Sequence, residues 1–248
     1  MKPKRDLYAV FTFFLLLLIS GCGKTGIDCF TSTGEIINEE RSVDEFDSIE
    51  INNNVNLFIS KDSIRKVVVE AGKNIITNII TSVENKQLIL RNENTCNWVR
   101  SYNKPINVYV STPYLYKLYY NSSGNVTSLN TLEFDSLKLE AWGGCGTIEL
   151  DVDIFLGYFY LQIGTSDIHL KGSCGIASMF TGDFGLLDAR ELQTGFAFIT
   201  SQSSNDCYVK VTQGLDATIE SIGNIYYYGS PKEITTTING PGSVIHLY

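Results

Sequence analysis

Seven times between residues 124 and 244 a turn-forming residue stands two places before an apolar one: Gly124/Val126, Gly146/Ile148, Ser166/Ile168, Gly185/Leu187, Asn205/Cys207, Gly223/Ile225 and Gly242/Val244. The intervals are 22, 20, 19, 20, 18 and 19 residues. A second column lies two residues further on: Ser128, Leu150, Leu170, Ala189, Val209, Tyr227 and His246. It is apolar in its middle members and frays at both ends, as terminal repeats should. A unit of about 20 residues supplies one or two short strands and cannot bury its own apolar face, so successive units must stack. The expected fold is all-β, a right-handed β-solenoid or β-helix. An antiparallel β-sandwich is the alternative, because a meander also gives short strands at even spacing. Gly, Asn and Ser suit the turns because they reach left-handed or otherwise tight geometry at low cost. The L-x-x-L-x-L spacing of leucine-rich repeats is absent. So is the G-G-x-G-x-D calcium repeat, since Gly143-Gly144-Cys145-Gly146-Thr147 has Thr where the ligand Asp belongs.

The preceding segment, 41–113, carries strands without the repeat. Ile49/Ile51, Val55/Leu57/Ile59, Val67/Val69, Leu88/Leu90 and Ile106/Val108/Val110 alternate with polar residues, the period of half-buried strands. Asn52-Asn53-Asn54 and Ser60-Lys61-Asp62-Ser63 suit turns between them. Asn74 to Ile80 is expected to form a short helical turn, with Ile75, Ile76, Ile79 and Ile80 on one face. The chain thus divides into a leader (1–21), a tether (22–40), an N-terminal β half (41–113) and a repetitive C-terminal half (114–248).

The leader reads as an address. Lys2, Lys4 and Arg5 precede a 12-residue apolar run, Ala9 to Ser20, short of the roughly 20 residues a membrane span requires. The run ends in Ile19-Ser20-Gly21-Cys22, which resembles a bacterial lipobox, so cleavage would leave Cys22 as a lipidated N-terminus. Gly23 rather than Asp follows, and an outer-membrane anchor is therefore expected, on the cell surface or facing inward. The whole chain carries net −8. Removal of 1–21 leaves 16 Lys plus Arg against 26 Asp plus Glu, net −10, which argues against a nucleic-acid partner. Lipidation leaves five cysteines, Cys29, Cys96, Cys145, Cys174 and Cys207, so at least one thiol stays free. Cys29 at the end of the tether and Cys96 in the polar stretch 92–97 form the candidate disulfide. No C-x-x-C occurs, which removes the thioredoxin-like and structural-zinc readings.

With the lipobox, the opening Arg41-Ser42-Val43-Asp44-Glu45-Phe46 and the repeated Gly-x-(Val/Ile) turns, the chain resembles the head-GIN-domain family, named as auto-transporter adhesins and of unknown function. The resemblance covers about residues 41–247. Gly223-Asn224-Ile225 through Tyr228-Gly229-Ser230-Pro231, and Gly240-Pro241-Gly242-Ser243-Val244, match best. The Gly-Ser-Gly signature becomes Gly164-Thr165-Ser166 and Ser203-Ser204-Asn205 in the middle. The resemblance implies a solenoid body on a secreted or surface lipoprotein, and it supplies no catalytic residues.

Between the apolar columns runs an outward one: Thr127, Glu149, His169, Asp188, Tyr208, Tyr226 and Ile245. Residues one period apart should sit about 4.8 Å apart on neighbouring coils, placing His169 between Glu149 and Asp188 and favouring its imidazolium form. The next outward column is Asp151, Lys171, Arg190, Lys210 and Tyr228. The bland reading of both is a surface charge ladder that holds register; the sharper one is a pH-sensing or metal site. Glu149, Asp151 and Asp153 share one strand face, a row that could serve a cation or a glycan hydrolase, although alternation alone generates it. Only two His are present, no catalytic motif appears, and no metal or cofactor is expected. The tyrosines are the clearer surface signal: Tyr114, Tyr116, Tyr119 and Tyr120 cluster, Tyr158 and Tyr160 alternate outward from Phe159 and Leu161, and Tyr226, Tyr227 and Tyr228 form a run. Tyr158, Tyr160, Tyr226 and Tyr228 are the candidate ligand surface, since a phenol offers an apolar face and a polar tip. The expected function is that of a non-enzymatic, lipid-anchored envelope protein, an adhesin or binding module for a protein or glycan. The alternatives are a structural envelope component without external ligand and a carboxylate-dependent glycan hydrolase.

Overall fold

The computed structural model describes residues 32–95 and 104–248. Cys22 and the Cys29–Cys96 pair lie outside the described residues. Cys145, Cys174 and Cys207 are free thiols, the last two buried. Burial pushes Cys174 up to about 11 and Cys207 to about 12, so both stay protonated and unreactive at neutral pH.

Stacked parallel strands form a β-solenoid of about seven turns. The strands are β1 (Ile36–Arg41), β2 (Ser48–Asn53), β3 (Val55–Lys61), β4 (Lys66–Gly72), β5 (Ile79–Glu84), β6 (Gln87–Asn92), β7 (Ile106–Thr112), β8 (Lys117–Ser122), β9 (Val126–Ser128), β10 (Leu132–Gly144), β11 (Thr147–Ile163), β12 (Asp167–Thr181), β13 (Leu187–Ser201), β14 (Cys207–Ile219), β15 (Ile225–Tyr228), β16 (Glu233–Ile238) and β17 (Val244–Leu247). The expected column is the observed register: Val126, Ile148, Ile168, Leu187, Cys207, Ile225 and Val244 pair in succession from coil to coil. All but Val244 are fully buried, each contributing about 1.5–3 kcal/mol over an exposed position.

The long strands each turn a corner. Pairing skips Asp135, Phe155, Gly175 and Gly195 and then resumes. The corner divides every coil into two ladders. The first runs through β7, β3, β9, the leading halves of β11 to β14, β15 and β17. The second runs through β6, β2, β8, β10, the trailing halves of β11 to β14, and β16. Their inner faces share one core that extends from Phe46 to Ile225, with Leu118, Leu139, Phe159, Met179, Ile199 and Ala217 in one inward column.

The sandwich alternative is overturned: among the described strands, antiparallel pairing joins β1 to β4, β4 to β7 and β5 to β6, all at one end. The alternating positions in 41–113 are all buried. Their order along the axis differs from their order in sequence, because β2 lies between β6 and β8, and β3 between β7 and β9. The helical turn is a single 3-10 turn at Ile76–Asn78, with Ile75, Ile76 and Ile79 buried and Ile80 half-buried in the strand that follows.

The repeated glycines serve close approach. A Cβ on Gly146 would lie 2.2 Å from the Gly124 carbonyl oxygen, and one on Gly242 2.2 Å from that of Gly223. Neither residue has a positive φ: at these two positions the neighbouring coil lies too close for a side chain, while left-handed geometry falls just before the turn column, at Gly143, Gly144, Gly164 and Asp183. The next position carries a further ladder, of Asn and Asp side chains. Asn56 Oδ1 accepts from the Asn125 amide, Asn125 Oδ1 from Thr147, Asp167 Oδ1 from Leu186, Asp206 Oδ1 from Asn224, and Asn224 Oδ1 from Ser243. Each side chain satisfies a turn amide of the next coil that strand pairing leaves over.

Candidate functional site

Two outward faces emerge from the alternation, and they differ in chemistry. On the first ladder the outward column stands in the expected register, Thr127, Glu149, His169, Asp188, Tyr208, Tyr226 and Ile245. His169 lies beside both acids, its Nδ1 3.9 Å from Asp188 Oδ2. Asp151 and Lys171 pair at 3.4 Å as neighbours in the next column.

That next column then departs from the sequence reading. Register slips between His169 and Lys171, and again between Ala189 and Gln193, so Lys171 faces Glu191 and Lys210 faces Gln193. Arg190, set free by the bulge, folds back along its own strand. Its Nε donates to Asp188 Oδ1 at 2.9 Å, and Nη2 donates to Oδ2. Its guanidinium covers the Tyr208 ring at 4.6 Å, and Tyr208 stacks on Tyr226 at 5.1 Å and 12°. Burial opposes the charge on Asp188, but the hydrogen bonds and charge of Arg190, with His169 adding to them, hold its carboxyl below the ordinary value. A cleft of about 340 Å³ opens over Glu149, His169, Lys171, Asp188 and Glu191. Asp188 is engaged there by Arg190 and His169, and Lys171 by Asp151 beside the cleft, contacts of the kind a register-holding ladder makes. Among the described residues no group of three or more His, Cys, Asp or Glu could hold a metal ion.

The second ladder carries the aromatics. Tyr158, Ser178, Phe198 and Asp216 form one outward column, and Tyr119, Glu140, Tyr160, Phe180, Thr200 and Thr218 the next. Tyr158 and Tyr160 meet edge to face with centroids 6.2 Å apart, and the Tyr160 hydroxyl shares a hydrogen bond with Ser178 Oγ at 3.1 Å. Phe198, 49% exposed, and Phe180 extend this surface along a shallow groove of about 500 Å³. Beside it Glu140 takes Lys117 at 2.5 Å and Lys138 at 2.6 Å.

The four candidate tyrosines therefore do not form one surface. Tyr158 and Tyr160 belong to the second ladder, Tyr226 and Tyr228 to the first, where Tyr226 is committed to Tyr208. Tyr120 is fully buried, a correction to its place in the surface cluster. It falls on the inward register with Leu118, and its hydroxyl donates to Gly124 O at 2.8 Å while accepting from the Gly146 amide at 2.9 Å. Burial raises it to about 12. Phe180 and Phe198 were missed because aromatics inside a long strand give no sign of facing outward until the corner residue is known.

A stack of coils that displays flat columns of side chains defines a repeat protein of the β-solenoid class. Within it, the chain belongs to the family described as putative auto-transporter adhesin, head GIN domain, whose model matches residues 45–231. Three similar solved structures share the fold. A putative adhesin from Bacteroides fragilis is 21% identical, with TM-score 0.77 over 86% of this chain and 97% of its own. A putative lipid binding protein from Parabacteroides distasonis is 18% identical, with TM-score 0.66 over 88% and 98%. A putative adhesin from Parabacteroides merdae is 17% identical, with TM-score 0.64 over 88% and 98%. No curated protein matches the chain, and among the described residues no helix is long and apolar enough to cross a membrane.

Proposed function

We propose that the protein is a non-enzymatic binding module of the cell envelope, anchored through a lipid on Cys22, whose outward strand columns hold a glycan or protein ligand. The observation that carries this reading is the platform of Tyr158, Tyr160, Phe180 and Phe198 on three adjoining strands. Outward aromatic rings held on a rigid scaffold suit pyranose faces or an extended protein surface, and repetition favours long surfaces over deep pockets. The adhesin description of the family agrees with that use. The charged first ladder keeps the coils in register, and its tyrosines stack within the molecule.

The test is an array of glycans and extracellular-matrix proteins probed with protein expressed from Gly23. Saturable binding to a related set of ligands is the expected result. A blank array would return the chain to the structural reading. In cells, Cys22→Ala should release the protein from the membrane fraction, and protease shaving of intact cells should remove the wild type from an outward-facing leaflet.

A further inference from the structure

The corner between the two ladders holds a groove of about 740 Å³ that neither ladder accounts for. Its corner column is Asp135, Phe155, Gly175 and Gly195. A Cβ on Gly175 would lie 2.8 Å from the Phe155 carbonyl oxygen and 2.9 Å from Phe155 Cδ2, and one on Gly195 2.6 Å from the Gly175 carbonyl oxygen. After Phe155 the next two coils therefore present bare backbone, and the ring edge lies over the first of them. The ring remains 68% exposed. Tyr114, 43% exposed, stands on the other wall, packed edge to face on Phe134 at 6.3 Å.

Between these rings the groove is acidic. Glu133 and Asp153 are direct register neighbours, an arrangement that costs stability when like charges face each other, and Asp135 lies two residues along. Among the described residues none of the three forms an ion pair, and one oxygen of Asp153 accepts from the Ser173 hydroxyl. Lys61 is the single cation among the lining residues, and it is already occupied, donating to the Pro113 carbonyl and lying 5.0 Å from the Phe134 ring. The groove thus combines an uncovered aromatic shelf with carboxylates that lack a counter-charge.

We infer that this corner groove binds an amino-sugar segment of a glycan, with a pyranose on the Phe155 ring and a protonated amine between Glu133, Asp135 and Asp153. A pyranose offers an apolar CH face to the ring and hydroxyls to the carboxylates, and an ammonium is drawn both to the acids and to the faces of Phe155 and Tyr114. The volume falls within the range of small-molecule sites, about 300–1,000 Å³. Phe155 precedes Tyr158 by three residues on the same strand. The inference rests on the binding reading above and narrows its ligand to a glycan with free amines.

The test is calorimetric titration of the mature protein with a glucosamine tetramer, its fully N-acetylated counterpart and a tetralysine peptide. The glucosamine tetramer should bind saturably and more weakly at high salt. Phe155→Ala should weaken it about fivefold or more, as should Glu133→Gln combined with Asp135→Asn. All three residues are exposed, so melting temperatures should hold and report that the fold is intact. Absence of tetramer binding, or binding unchanged by Phe155→Ala, would overturn the inference. Equal binding of the acetylated tetramer would remove the amine, and equal binding of tetralysine would reassign the groove to a basic peptide. If the tetramer fails while an array ligand still depends on Tyr158 and Tyr160, the groove assignment falls and the platform reading stands.

Discussion

Glu140 shows how single side chains decide whether the coils can stack. Lys117 and Lys138 are direct register neighbours on adjacent strands, and parallel stacking would set two ammonium groups against each other without the carboxylate between them. Burial opposes ionisation of Glu140, but hydrogen bonds from both lysines outweigh it and hold the carboxyl below its ordinary value of 4.5. A depressed carboxylate contributes stability that is present above the unfolded value and lost as pH falls through the folded one. Glu140→Gln should therefore cost about 2 kcal/mol at pH 7, with the gap from wild type closing below about pH 4. Urea unfolding at the two pH values measures this, and a variant as stable as wild type at pH 7 would contradict it. Glu140 is legible in the sequence only as a half-polar strand residue. Lys138 stands two residues away on the same strand, but Lys117 comes from a neighbouring coil whose register the repeat does not mark.

At the scale of the element, the turn columns explain why the repeat could be read at all. At Gly124, Gly146, Gly185, Gly223 and Gly242 a carbonyl of the neighbouring coil sits where a Cβ would be, so glycine recurs there, and the column survives its interruption by Ser166 and Asn205. Gly146→Ala would put its Cβ 2.2 Å from the Gly124 oxygen and 2.4 Å from the Tyr120 hydroxyl. Neither neighbour can give way, since one is backbone and the other is held by two hydrogen bonds. The expected cost is about 3 kcal/mol, read as a melting temperature roughly 6–12 °C lower; a melt within 2 °C of wild type would show that the coils part more easily than this packing implies. The bulge around Arg190 marks where such reading stops. A column continued by counting gives Arg190 beside Lys171, whereas the slipped strand gives Glu191, and Arg190 pairs with Asp188 and Tyr208. The extra residues leave no clear composition signal, because Arg190 and Glu191 are as polar as their outward neighbours and Leu192 is buried like the inward residues around it.

Across the whole molecule, the repeat made the C-terminal ladders legible and left the N-terminal order hidden. Alternation identified β2, β3, β4, β6 and β7 as strands, but nothing in it shows that β2 and β3 slot between coils that follow them in sequence. The candidate surface was half legible for a similar reason. Tyr158 and Tyr160 could be placed outward by period two, whereas Phe155, Phe180 and Phe198 take their meaning from where the coil bends. The aromatic columns of the second ladder are the proposed binding face. The most direct measurement is the affinity of Tyr158→Ala with Tyr160→Ala for the ligand selected on the array, compared with wild type at matched thermal stability. Both rings are half-exposed, and aromatic contacts of this kind contribute about 0.5–1.5 kcal/mol each, so binding should weaken about tenfold with the fold intact. Equal binding by the double variant would contradict the claim.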